Sequence, residues 1–286
     1  MEDRRSFFKG IGFAGLGAVA ATYLAGGATE AEAQQIPMVT PNFMGSDRPE
    51  QILTAALIAE DLATTFYYNG LIGGVIQDPA LAGPGGSATN VTASGNLGNV
   101  NYLQAALSAE IQHATLLRTL LGLGSDPSVD PAQTFYFPKG SFDTLSAFTG
   151  LLDALENAFI GAYTLAVRSF AHMGSITSKG PAVFGYKGKA FSASEFEYFA
   201  EVAATIQGVE SEHRVLGRVI SNTNPANNLY YEQTDGLTSV YNGDKSAVVA
   251  LTPFLSMSTG PSYSFATAIA NAATVAIPGM GSLPAY

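Results

Sequence analysis

Two segments of the chain place a glutamate three residues before a histidine: Glu110-Ile111-Gln112-His113 and Glu210-Ser211-Glu212-His213. Three residues advance a helix by about 300°, so each Glu and its His share one face, one turn apart, and together they can bind one or two metal ions. The flanking residues turn both faces inward. Glu110 is bracketed by Leu103, Ala106 and Leu117, and Glu210 by Ala203, Ile206 and Gly217. Two further acids stand alone on apolar stripes: Glu60 among Leu53, Ala56, Leu57 and Ala63, and Glu156 among Leu152, Phe159, Ile160 and Tyr163. In chain order this reads one Glu, a Glu-x-x-His, one Glu, a Glu-x-x-His. Such a set lets the core of a helical bundle hold two transition-metal ions, iron first and manganese as the alternative. The competing reading is a buried polar network without metal. Against it, four carboxylates in apolar surroundings repel one another and are costly to desolvate, whereas two divalent cations balance their charge.

Other polar residues fit this pattern less well. His172, the remaining histidine, has no paired acid and reads as a charge partner for the C-terminal end of its helix. Glu212 points away from the Glu210 face, toward solvent. Asp61 and Asp153 are rotated off the faces of their neighbouring glutamates and read first as surface acids and second as supports for the ligands. Tyr67 and Tyr163 each lie two turns beyond a candidate ligand, within reach of a hydrogen bond or an electron-relay role, and equally readable as core tyrosines.

Four long segments of helical periodicity must carry these residues. The spacing predicts helices from about Arg48 to Ile72, Asn99 to Leu121, Asp143 to Met173, and Ser192 or Ser194 to Ser221. Between them lie a Gly-, Pro- and Asn-rich stretch from Asp78 to Gly98 and a linker from Gly122 to Ser141 interrupted by Pro127, Pro131 and Pro138. The expected fold is all-α, a four-helix bundle with long loops over residues 34–222. A C-terminal extension, 223–286, would pack on it and holds short apolar pieces near Ser246 to Leu255 and Tyr263 to Ala276.

Composition removes several classes of function. A net charge of -10 with only 13 Lys and Arg gives no electrostatic footprint for nucleic acid. The absence of cysteine excludes disulfides, zinc knuckles, iron–sulfur ligation and thiol chemistry, leaving His, Asp and Glu as metal ligands.

Residues 1–33 read as an export signal. Arg4-Arg5 followed by Phe7-Phe8-Lys9 is close to the twin-arginine pattern, with Asp3 where Ser or Thr is usual, and a Gly/Ala-rich apolar run follows. Ala31-Glu32-Ala33 supplies the small-x-small cleavage step. The run is short and interrupted for a membrane span, so the expectation is a periplasmic or secreted protein with no stable membrane insertion once the signal is removed.

Taken together, these residues resemble the ferritin-like superfamily, and within it the bacterial and plant ferritin-like domain proteins known as desiccation-related proteins. The resemblance covers about residues 40–222, with Leu251-Thr252-Pro253-Phe254-Leu255 also similar to that family. It implies ligand roles for Glu60, Glu110, His113, Glu156, Glu210 and His213, with Glu110 and Glu210 bridging two metals. It also implies Fe(II) oxidation by O2 or peroxide in oxidative or desiccation stress. Manganese-catalase-like disproportionation of peroxide and a purely structural protective role are the alternatives, and a homo-oligomer stays open. The long loops depart from shell-forming ferritins, and the missing cysteines exclude a rubredoxin-like electron-entry module.

Overall fold

The ends of the long helices are set by side-chain caps. The computed structural model describes residues 47–180, 183–184, 190–223 and 232–275. Helix α1 spans Pro49–Ile72, and its proline stands in the first turn, where a missing N–H breaks no helical bond. Helix α2 spans Leu97–Leu121, beginning before the expected Asn99 because the Asn96 side chain accepts a hydrogen bond from the Asn99 N–H. It stops at Gly122, whose φ of 70° is the left-handed conformation that glycine adopts without strain. Helix α3 spans Leu145–Thr177 and outlasts the expected Met173. The Thr144 hydroxyl accepts from the Ala147 N–H at its start. Helix α4 spans Ala193–Ile220 and opens on a reciprocal cap: Ser192 Oγ accepts from the Glu195 N–H at 3.2 Å, and Glu195 Oε2 accepts from the Ser192 N–H at 2.8 Å. The described fold is all-α apart from short strand pairs.

The chain divides into two compact units, and α1, α3 and α4 contribute to both. The first takes the described parts of Met1–Ala55, Asn157–Ser211 and Ala226–Pro253. Its apolar centre includes Phe170, Phe191, Phe196 and Phe199, with ring centroids 5.4 to 6.1 Å apart. Strands β2 (Val183–Phe184) and β3 (Ala190–Phe191) pair antiparallel. Gly161 of α3 lets the chain pass close by, since a Cβ there would stand 2.7 Å from the Thr234 carbonyl oxygen. The short helix α5, Ala247–Leu251, is capped by Ser246.

Asp47 ties this unit together. Its buried carboxylate accepts from the backbone N–H groups of Val240, Tyr241 and Asn242 at 2.8 to 3.0 Å and from Asn242 Nδ2 at 2.9 Å. Hydrogen bonds to a charged group contribute about 1.5–3 kcal/mol each and do not simply add. Asp47→Ala is therefore expected to cost on the order of 3 kcal/mol in urea unfolding, and Asp47→Asn less. A loss below about 0.5 kcal/mol would show that water replaces the carboxylate at no cost.

The second unit takes Ala56–Glu156 and the described parts of Glu212–Pro225 and Phe254–Tyr286. Phe66 is its aromatic hub, stacked on Phe148 and touching Phe137, Phe142 and Tyr67. Strand β1, Thr134–Tyr136, pairs antiparallel with β4, Ser262–Ser264, in the register Thr134↔Ser264. The last short helix, α6, covers Phe265–Asn271. Gln104 of α2 donates through Nε2 to the carbonyls of Ala88 and Val275 at 3.2 and 2.6 Å.

The expected signal at 1–33 lies outside the described residues. Among those described, no helix is long and apolar enough to cross a membrane.

Candidate metal centre

Each long helix brings its acidic or histidine side chain to the same place. Glu60 on α1, Glu110 on α2, Glu156 on α3, and Glu210 and His213 on α4 are all buried, and the His113 side chain is 12% exposed. His113 Nδ1 stands 3.2 Å from Glu60 Oε2 and 3.4 Å from Glu110 Oε2. His213 Nδ1 stands 2.9 Å from Glu110 Oε1 and 3.9 Å from Glu156 Oε1. Ligand atoms of Glu60, Glu110, His113 and Glu210 lie within 4.8 Å of one another, and so do those of Glu110, Glu156, Glu210 and His213. Glu110 and Glu210 occur in both groups. Both histidines turn Nδ1 toward the carboxylates, so the two imidazoles offer equivalent donor atoms.

The donor set suits divalent iron or manganese, combining carboxylate oxygen with imidazole nitrogen and no sulfur. Glu110 supplies the test of fit. It is fully buried, and its oxygens face His213 Nδ1 at 2.9 Å and His113 Nδ1 at 3.4 Å. Such a carboxylate is costly unless a cation faces it. Burial works against its charge, but the His213 imidazole first, then contacts with His113 and Glu60, hold its carboxyl below the usual range. The residues present therefore fit a two-metal group.

Tyr67 supports this arrangement. Its hydroxyl donates to Glu156 Oε1 at 2.6 Å, and its ring stands edge-on to His213 at 5.6 Å. Of the two roles open to it, the hydrogen bond to a candidate ligand is realised. Tyr163 is buried on α3.

Residues 49–180 match the model of a family described as the ferritin-like domain. No curated protein and no solved structure matches the chain. The matched ferritin-like segment contains α1, α2 and α3, and with them Glu60, Glu110, His113 and Glu156. Helix α4 lies beyond it and carries the second Glu-x-x-His. The architecture is that of an all-α ferritin-like bundle.

Several residues of this ferritin-like fold depart from their sequence reading. Asp61, expected at the surface, is fully buried. Its neighbours are Arg118, with Nη2 3.8 Å from Asp61 Oδ1, and Asp130, whose oxygens lie 2.8 and 2.6 Å from Arg118 Nε. His172 is exposed on α3 and falls short of the last turn, because the helix continues to Thr177. Glu212 is exposed as expected, and Asp153 pairs with Arg218 at 2.8 Å. Arg118 was not singled out by spacing. It is the one Arg or Lys on α2 and sits beside Ala114 and Leu117 on the apolar side, a position that calls for a buried acid.

Burial, followed by the charge of Asp130, pushes the Asp61 carboxyl up to about 9, against the opposing pull of Arg118. An acid raised in the folded state binds a proton that the unfolded chain releases above about pH 4, so stability falls as pH rises from there toward the folded value. Asp61→Asn removes that dependence. Measured with chelator present, its melting temperature should equal that of the wild type near pH 4 and exceed it at pH 8. A difference independent of pH would contradict the assignment.

Proposed function

We propose that this chain is an exported dimetal-carboxylate protein of the desiccation-related type. It would take Fe(II) as substrate and oxidise it with O2 or peroxide, limiting oxidative damage in stressed or drying cells. The observation that carries this reading is the pair of four-residue groups sharing Glu110 and Glu210. Two ligand groups with common carboxylates would hold two ions, whose electrons would reduce the oxidant. When bound, iron or manganese supplies the electron transfer. The chain contributes the rest. Glu110 and Glu210 would serve both ions, His113 and His213 would each offer an imidazole nitrogen, and Tyr67 fixes one oxygen of Glu156. Apolar residues one helical turn from Glu110 and Glu156, among them Leu107, Leu152 and Phe159, are buried.

The export part of the proposal rests on Arg4-Arg5, Phe7-Phe8-Lys9 and Ala31-Glu32-Ala33. Elemental analysis of the protein exported by its own signal tests the whole reading. Close to two iron ions per chain, with Fe(II) oxidised on exposure to O2 or peroxide, is expected. Fewer than one transition metal per chain would overturn it. Peroxide disproportionation by the manganese-loaded protein alone would select catalase-like chemistry. A melting temperature lowered by chelation, without redox turnover in any metal form, would select a structural role.

A further inference from the structure

One guanidinium links three parts of the chain beside the candidate centre. Arg118, 3% exposed, holds both oxygens of Asp130 through Nε and approaches Asp61 through Nη2. Its Nη1 donates to Thr115 Oγ1 at 3.4 Å. Asp130 belongs to the linker before β1, Asp61 directly follows Glu60 on α1, and Arg118 lies five residues past His113 on α2. Helices α1 and α2 thus meet at two neighbouring levels, through His113 and Glu60 at 3.2 Å and through the approach of Arg118 Nη2 to Asp61 at 3.8 Å, which is longer than a hydrogen bond.

This brace is hard to explain by stability alone. Burying a guanidinium beside two carboxyl groups is costly in desolvation, and well-packed apolar side chains in such places are often neutral or stabilising. What the brace supplies is a fixed separation. We propose that Arg118 is a positioning residue for one of the two metal positions: by bridging Asp130 and Asp61 it sets Glu60 against Glu110 and His113. Glu156 and His213 come from α3 and α4, which the guanidinium does not bridge. The inference rests on the dimetal reading above but makes a separate claim, that the two positions depend unequally on Arg118.

The test is titration of the full-length, metal-free protein with Co(II) alone, read by visible absorption and by the magnetic signature of coupled ions. The wild type should bind two Co(II) with coupling. Arg118→Met should bind the first as tightly as wild type and the second roughly tenfold or more weakly, as losses of supporting contacts do, with the coupling gone. Arg118→Lys, which keeps the charge but not the fork, should recover part of the second site. Equal weakening of both positions, or no change in either, overturns the positioning role. If Arg118→Met does not fold, Asp130→Asn leaves the cation in place and should show the same selective loss, and an unchanged second site there overturns the proposal. A wild type that binds no Co(II) overturns the dimetal centre itself, an outcome recognisable before any variant is made.

Discussion

Glu110→Ala is expected to abolish binding at both metal positions, whereas Glu60→Ala and Glu156→Ala should each impair one. The asymmetry follows from membership, since Glu110 belongs to both ligand groups, Glu60 to one and Glu156 to the other. It also follows from electrostatics, because both histidine Nδ1 atoms approach Glu110. The readout is the stabilisation that metal confers. A ligand at 100 times its dissociation constant adds about 2.7 kcal/mol to the folded state. Chelation should therefore lower the melting temperature of the wild type and leave that of Glu110→Ala unmoved. In the absence of metal the variant also loses a buried carboxylate, so its own melting temperature should not fall far. A Glu110→Ala protein that still gains stability from iron or manganese would show that the ions bind elsewhere.

Phe66→Ala should be the most damaging apolar truncation in the second unit. The Phe66 ring lies parallel to Phe148 at 4.7 Å, tilted against Phe142 and Phe137 at 5.5 and 5.6 Å, and edge-on to Tyr67 at 5.9 Å. It is 1% exposed, so truncation leaves a cavity whose other walls are themselves aromatic and slow to collapse. The expected cost is about 3–5 kcal/mol, a large share of the 5–15 kcal/mol typical of a domain. Phe66→Leu should cost less. Gly70, one turn on, shows how closely the same space is filled, because a Cβ there would press into the Phe148 ring. Urea unfolding decides the matter, and a loss under 1 kcal/mol would mean that the neighbouring rings close the gap.

The candidate ligands were legible in the sequence because helix geometry converts a three-residue offset into a shared face, and because a lone acid such as Glu60 or Glu156 stands out on an apolar stripe. The same rule misread Asp61. A rotation of 100° reaches solvent only if a helix has a solvent side, and α1 is buried on every face from Ala59 to Tyr68. Arg118 and Asp130 escaped because their meaning lies in each other, across a proline-rich linker with no periodicity to read. Helix ends shifted from their expected positions because single side chains such as Asn96 and Thr144 decide them. The strand pairs were not anticipated at all. Thr134-Phe135-Tyr136 is too short to show alternation, and its partner lies in the C-terminal extension.

That last pairing bears on the order in which the protein can be made. Contacts between segments far apart in the chain form late, since the intervening loop must first be closed. Strand β1 precedes α3 and α4, but β4 follows both, so the linker that carries Asp130 cannot acquire its strand partner until every long helix has left the ribosome. A nascent chain halted after α4 would have all six candidate ligands synthesised, yet its linker would still lack that partner. Synthesis of the stretch beyond α4 thus governs when the linker beside the centre is completed.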